Sequence, residues 1–157
     1  MSKDFGEFKS VEELNLCAEG LKEEGDLESL KKLAKENGLD EEDAVDYFDG
    51  IYPEFTNVLM AALGKVEIEC KELNLGEILE DWANFIKAEA QENEQMAAGV
   101  MKYTLSDCIA HLLKYSFTNA KPIPDAIKKA AGVNATVKLG IPGSGTAKRL
   151  IREFYMR

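Results

Sequence analysis

The chain has 157 residues, 45% of them apolar, and a formal net charge of −10. That apolar content can support a packed core, so the composition excludes a disordered chain, and the length suits one domain or two small helical lobes. Its apolar runs fall short of the roughly 20 residues that a helix needs to cross a bilayer, and the first residues lack the apolar region of a secretory signal. We therefore expect a cytoplasmic protein that does not contact a membrane.

The charge is sorted by position along the chain. Residues 1–98 hold 26 Asp and Glu against 9 Lys and Arg, a net charge of −17, whereas residues 99–157 hold 3 against 10, a net charge of +7. Two potentials of opposite sign can attract two different kinds of partner. The sequence predicts an acidic helical lobe over 1–95 and a basic helical lobe over 96–157, with a glycine turn and a helix at its end. The two lobes could also pack as one domain.

Helix signals follow one another through the acidic half. Ser10 and Glu13 form a capping box, and Asp26 and Asp40 stand at the start of two further apolar patterns. Pro53 fits the first turn of a fourth helix. These signals predict a bundle of short helices rather than a sheet.

The pattern is less regular after residue 65 and then becomes helical again. Residues 66–73 alternate apolar and polar side chains, which fits either a short strand or an irregular helix. A long helix is expected from Gly76 to about Ala90, and Thr104 with Asp107 forms a second capping box. We predict an all-α or mostly α fold, a compact multi-helix domain with at most one short β segment near 66–73.

A dense acidic segment could serve as a binding surface. The spacing of apolar residues over 30–48, with Gly38 at the turn, fits a helix-turn-helix. The helix that would enter a DNA groove carries carboxylates, which phosphates repel: Asp40, Glu41, Glu42, Asp43, Asp46 and Asp49. Two interpretations remain, an ordinary packing unit with a solvated acidic face, or an acidic surface that occupies the basic nucleic-acid channel of another protein. In the second, Tyr47 or Phe48 would be an apolar anchor if it is not wholly buried.

The C-terminal region carries a second candidate site. Residues 141–151, IPGSGTAKRLI, resemble the hairpin and second helix of a helix-hairpin-helix element, in which backbone amides at a helix N-terminus meet a phosphate. The nucleic-acid contacts predicted on this basis are Gly143, Gly145, Lys148, Arg149 and Arg152. Ser144 departs from that pattern, which usually has an apolar residue there. The alternative is a capped core helix with a basic outer face.

Residues suited to catalysis or metal binding are few. His111 is the only histidine, and Cys108 lies three residues before it. A third group with suitable spacing is missing, so a histidine at the edge of the core is the simpler interpretation. Cys17, Cys70 and Cys108 are widely spaced and fit reduced, buried thiols. The sequence predicts a protein that is not an enzyme and that uses neither a metal nor another cofactor.

Five short motifs between residues 59 and 133 carry a resemblance to a known family. They are LMAALGK at 59–65, EDW at 80–82, LSDCIAHLL at 105–113, KPIP at 121–124 and AAGV at 130–133. The region from about residue 55 onward resembles PcfK-like proteins, which conjugative elements and phages carry. The fuller pattern is similar to the subset known as anti-CRISPR proteins, which inhibit the RNA-guided DNA nuclease of type II systems.

The resemblance implies a protein partner for the acidic half. Type II nucleases hold their guide heteroduplex in a positively charged channel, so an acidic inhibitor could occupy that channel and block DNA binding or cleavage. The basic C-terminal region could then contact guide RNA or DNA, or the acidic lobe of a second copy in a homodimer. One alternative is a nucleic-acid-binding accessory protein of a phage or conjugative element that uses residues 132–157. Another is an interaction module of a conjugation or phage replication complex.

Overall fold

A computed structural model describes residues 3–157, and this range is mostly helical as predicted. Its elements are α1 Val11–Glu23, α2 Leu27–Glu36, α3 Glu41–Phe48, α4 Val58–Leu73, α5 Ile78–Glu92, α6 Glu94–Lys102, α7 Leu105–Thr118, β1 Lys121–Pro122, α8 Asp125–Ala131, β2 Lys138–Leu139 and α9 Ser144–Tyr155. The two strands form an antiparallel pair. None of the helices within the described range is long and apolar enough to span a bilayer.

Both predicted capping boxes mark the start of a helix. The Ser10 hydroxyl accepts a hydrogen bond from the Glu13 amide at 3.2 Å, and the Thr104 hydroxyl accepts one from the Asp107 amide at 3.1 Å. Each cap satisfies one of the amides that the first turn of a helix leaves without a partner.

The segment 66–73, left open by the sequence, is helical and forms the second half of α4. Its alternating pattern contains an i, i+4 pair, Val66 and Cys70, which packs into or against the core. Over so short a stretch, the same pattern therefore fits both the two-residue period of a strand and the 3.6-residue period of a helix. The β structure lies elsewhere, in β1 and β2, and the sequence did not predict it.

The helix expected to begin near Pro53 begins at Val58 instead. Asn57 caps it with its side chain, and the segment between α3 and α4 is irregular. Two hydrogen bonds tie that segment to α1: the side-chain nitrogen Nδ2 of Asn15 donates to the Thr56 carbonyl oxygen at 3.0 Å, and the Thr56 backbone amide donates to Asn15 Oδ1 at 3.1 Å. The prediction was wrong because Pro53 is equally suited to an irregular turn.

Two apolar clusters make up the core. One is built by α1, α2 and α3 together with Phe55, a residue of α4 and Met101 of α6. The other is built by α4, α5, α6, α7 and α9. Residues on both sides of the predicted boundary at 95/96, such as Ile86 and Ile151, belong to this second cluster. The core thus continues across the boundary, while the division into an acidic lobe 1–95 and a basic lobe 96–157 stays a prediction.

A pair of glycines lets the α2–α3 turn touch α4. Gly38 has a φ of +69°, and its backbone lies directly against Gly64. A Cβ added to Gly64 would overlap the carbonyl oxygen of Asn37. Only glycine allows two backbones to approach this closely.

Two polar side chains of α4 hold the turn between α6 and α7. Lys65 Nζ donates to the carbonyl oxygens of Val100 and Tyr103 at 2.6 and 2.5 Å. Glu69 accepts from the Leu105 amide at 2.7 Å, and its other oxygen lies 3.9 Å from Lys65 Nζ. A cation thus meets the end of α6 and an anion meets the start of α7, as both helix dipoles favour. Burial lowers the pKa of Lys65 and raises the pKa of Glu69.

Replacing Gly64 with alanine is expected to destabilise the fold by about 2–3 kcal/mol, because the backbone at Asn37 must move away. Gly20 of α1 provides the control, since a Cβ there meets no atom within 4 Å. Gly20→Ala is expected to stabilise the fold by about 0.5–1 kcal/mol through helix propensity. Urea unfolding followed by the fluorescence of the buried Trp82 measures both changes. Equal effects of the two substitutions would contradict the close contact.

Replacing Glu69 with glutamine is expected to reveal the energetic effect of its burial. Because the pKa of Glu69 is raised above 4.5, the folded protein binds a proton more tightly than the unfolded chain does. The contribution of Glu69 to stability therefore decreases as the pH rises through the window above 4.5. E69Q keeps an acceptor for the Leu105 amide. As the pH rises from about 4 to about 7, the unfolding free energy of E69Q should therefore increase relative to that of the wild type. A difference that does not vary with pH would contradict this expectation.

Candidate binding surfaces

The six acids predicted to bind a partner lie on and beside α3. Asp40 is the N-cap and accepts a hydrogen bond from the Glu42 amide at 2.9 Å, and Asp49 is the C-cap. Four of the six side chains are exposed, and those of Asp43 and Asp46 are half-buried. We call the whole set the α3 acidic surface: Asp40, Glu41, Glu42, Asp43, Asp46 and Asp49.

The α3 acidic surface carries uncompensated charge. Within residues 3–157, none of its carboxylates forms an ion pair. The last turn of α3 holds no basic residue, and Asp46 and Asp49 lie at this end, where the helix dipole is negative. Carboxylates at that end reduce the stability of the helix. The other four carboxylates lie at the N-terminal end of α3, where the dipole favours them, so the placement opposes folding only at Asp46 and Asp49. A carboxylate kept at such a position favours a binding role.

A groove beside this surface adds exposed apolar side chains. It has a volume of about 310 Å³ and is lined in part by Asp40, Asp43, Tyr52 and Met60. Tyr52 and Met60 are 42% and 43% exposed, and the neighbouring Ile51 is 64% exposed. We call this feature the Tyr52 groove. Apolar anchors next to charged groups are the composition of a protein-binding surface.

Of the two aromatic residues proposed as anchors, Tyr47 is buried in the core and Phe48 is only partly exposed. Tyr47 is only 5% exposed and packs edge-on against Phe55, with ring centroids 5.7 Å apart. Phe48 is half-buried against the same cluster. The exposed apolar residues of the Tyr52 groove were missed because Tyr52 stands next to Pro53, where the sequence suggested the start of a helix. The signal in the sequence that could have identified this groove was Tyr52 itself, an aromatic residue between Gly50 and Pro53.

The glycines predicted to meet a phosphate lie at the start of α9. Gly143 is its N-cap and Gly145 lies in its first turn, and both are exposed. A Cβ on either residue would meet no atom within 4 Å, so neither position requires glycine for space. Residues 132–143, including β2, separate α8 from α9, so the turn before α9 does not directly follow a helix. The nucleic-acid contact expected at these glycines stays a prediction.

Two of the three predicted cations on α9 already have carboxylate partners. Arg152 makes two hydrogen bonds to Glu89 of α5, at 2.9 and 3.0 Å, and this contact raises the pKa of Arg152 and lowers that of Glu89. Arg149 pairs with Glu153 at 2.9 Å. Among the residues that the structure describes, Lys148 alone of the three lacks such a partner. The positive charge offered by α9 is therefore smaller than the sequence suggested.

Cys108 and His111 occupy different environments although they share α7. Cys108 is fully buried, and burial raises the pKa of its thiol to about 12. His111 is exposed and lies near the ring of Phe154, with centroids 6.1 Å apart. Cys17 and Cys70 are free, half-buried thiols. Within residues 3–157, no three His, Cys, Asp or Glu side chains are placed to hold a metal ion.

Asp49→Lys is expected to stabilise the protein by about 0.3–1 kcal/mol, because it places a cation at the negative end of the α3 dipole. Asp81→Lys changes the net charge equally but lies in the first turn of α5, so it is expected to destabilise the protein by a similar amount. Urea unfolding at low ionic strength separates the two outcomes. If both substitutions changed the unfolding free energy in the same direction, net charge and not the helix dipole would control stability at these positions.

No protein-family model matches this chain, and searches of curated proteins and of solved structures find no similar protein. The resemblance to PcfK-like proteins is therefore a hypothesis that rests on the short motifs in the sequence.

Proposed function

We propose that this protein is an anti-CRISPR inhibitor that binds the type II RNA-guided DNA nuclease. In this proposal the α3 acidic surface occupies a nucleic-acid-binding channel of the enzyme and blocks DNA binding or cleavage. The observation that carries the proposal is the set of unpaired carboxylates on α3 beside the exposed side chains of the Tyr52 groove.

The chemistry of such a nuclease suits this surface. Its channel is lined by basic residues that hold the phosphates of a heteroduplex, and arginines read the adjacent duplex. Carboxylates on a rigid helix can replace phosphates as partners of these residues. Attraction between the two charge patterns would accelerate association, and it would weaken as salt screens it over about 8 Å at physiological ionic strength.

The Tyr52 groove separates this proposal from simple solubility. A solvated acidic face needs no exposed apolar side chains, whereas a protein-binding surface uses them as anchors that exclude water. Tyr52 and Met60 lie in the same groove as two of the carboxylates. Charge would then bring the partners together and the apolar anchors would hold them.

The competing proposal is a nucleic-acid-binding accessory protein that uses the basic C-terminal region. The ion pairs of Arg149 and Arg152 count against it, because a phosphate would have to compete with Glu153 and Glu89. The lysines of the region remain in its favour. We therefore rank this proposal second.

The inhibitor proposal predicts that charge reversal on α3 strongly weakens inhibition. Glu41→Lys with Glu42→Lys should raise the concentration needed for half-inhibition of DNA cleavage by at least about tenfold, equivalent to roughly 1.4 kcal/mol of binding. The matched control is Glu80→Lys with Asp81→Lys, since these acids are also exposed and lie in the first turn of another helix. The control should inhibit like the wild type. The assay uses guide-loaded type II nuclease at two salt concentrations, and inhibition should weaken at the higher one.

Two outcomes would reject the inhibitor proposal. One is undiminished cleavage by several type II nucleases at saturating protein. The other is equal loss of inhibition in the α3 variant and its control. A gel shift of naked DNA that Lys148→Glu with Arg149→Glu removes would favour the accessory protein instead.

A further inference from the structure

The acidic half of the chain contains a basic cavity. Residues 1–98 hold nine lysines against 26 Asp and Glu. Four of the nine lysines line one cavity of about 490 Å³, which is bounded by α2, α4 and the segment before α1. We call it the lysine cavity after these residues: Lys3, Lys32, Lys35 and Lys71. The fold thus gathers positive charge at one place in the half of the sequence that is strongly acidic.

Contacts with the core and with α2 hold the wall of the cavity that carries Lys3. Phe5 and Phe8 pack against the apolar cluster of α1, α2 and α3. The Asp4 backbone amide donates to Glu36 Oε1, and the Asp4 carboxylate pairs with Lys32. The segment before α1 is therefore a fixed wall of the cavity.

The positive charge of the lysine cavity is only partly compensated. Lys32 pairs with Asp4. Glu36 and Glu72 also line the cavity, so the four lysines and two glutamates of the lining give a net charge of +2. Within residues 3–157, three of the lysines have no carboxylate oxygen within 4.0 Å: Lys3, Lys35 and Lys71. Ammonium groups around one cavity repel each other, so this arrangement favours an anion as occupant.

The cavity also offers an apolar contact. Ile68 of α4 lines it and is half-buried, but among the described residues it belongs to neither of the two apolar clusters. The methylene stems of the lysines add further apolar surface. A volume of about 490 Å³ lies in the range of sites that bind small organic ligands. The cavity therefore suits an organic anion better than a single inorganic ion.

We propose that the lysine cavity binds a small organic molecule that carries two or more linked phosphates, such as a nucleoside diphosphate. The phosphates contact Lys35, Lys71 and Lys3, because lysine ammonium groups bind phosphate as point charges. The organic part lies against Ile68. This inference does not depend on the proposed inhibition of a nuclease, since the residues that line the cavity are distinct from the α3 acidic surface.

Charge disfavours other anionic occupants. An extended nucleic acid would also approach the remainder of residues 1–98, whose net charge of −17 repels phosphates. A ligand with one carboxylate would neutralise only one of the lysines. A small ligand with several negative charges contacts the cavity alone, and salt screens the more distant carboxylates over about 8 Å at physiological ionic strength.

Equilibrium dialysis of the full chain against ADP, without divalent cations and at about 50 mM NaCl, tests the binding. Lys35→Gln with Lys71→Gln is expected to weaken ADP binding by about tenfold, because two charged contacts to phosphate are lost. The matched control is Lys114→Gln with Lys129→Gln, which changes the net charge equally at exposed lysines outside the cavity. The control should bind ADP like the wild type, and an unchanged unfolding midpoint will verify the fold of both variants.

A comparison of ADP with pyrophosphate tests the organic part of the ligand. The wild type should bind ADP more tightly than pyrophosphate, which has the same two phosphates but no organic group. Ile68→Ala should weaken ADP binding by about fivefold, because it removes apolar contact area, and should change pyrophosphate binding by less than about twofold. Retained pyrophosphate binding also shows that the Ile68→Ala variant is folded.

Four results would overturn the proposal. One is the absence of bound ADP at about 1 mM ligand. The second is an equal loss of ADP binding in the cavity variant and its control, which would show only an effect of net charge. The third is equal affinity for ADP and pyrophosphate in both the wild type and Ile68→Ala, which would show a site for inorganic anions. The fourth is binding of a single-stranded oligonucleotide through Lys35 and Lys71 without binding of ADP, which would assign the cavity to nucleic acid.

Discussion

Helix α4 has to pack on two sides at once, and the positions of the other elements depend on this constraint. Ala61 belongs to one apolar cluster and Ala62 to the other. Gly64 lets the α2–α3 turn reach the helix backbone, and Lys65 and Glu69 receive the turn between α6 and α7. A buried ion pair adds little stability by itself, but this pair satisfies backbone groups that the helix ends would otherwise leave without partners. Because α4 holds both turns, it determines where α3 and α7 present their surfaces.

Acidic and basic residues are separated along the chain but partly brought together in the fold. The basic C-terminal region contributes Arg152 to a contact with Glu89, although the two residues belong to opposite halves of the charge pattern. The α3 carboxylates form no such contacts within residues 3–157. The carboxylates without an ion pair in the described range thus include all six of the α3 acidic surface, and the cations without one include the lysines of residues 113–141.

Carboxylates at the C-terminal end of α3 reduce stability there, which agrees with a surface retained for binding. The core beneath α3 does not depend on these carboxylates, because its own side chains are apolar and buried.

The sequence by itself determined the mostly helical fold, the capped starts of α1 and α7 and the acidic character of α3. These features depend on hydrogen bonds and periodicity within a few residues, which a local pattern records. Tertiary structure alone decided that 66–73 is helical, that Tyr47 is buried while Tyr52 is exposed, that Arg152 meets Glu89 and that Phe117 remains uncovered. Each of these depends on residues that are distant in sequence and become neighbours only when the helices pack, and no local pattern specifies that packing.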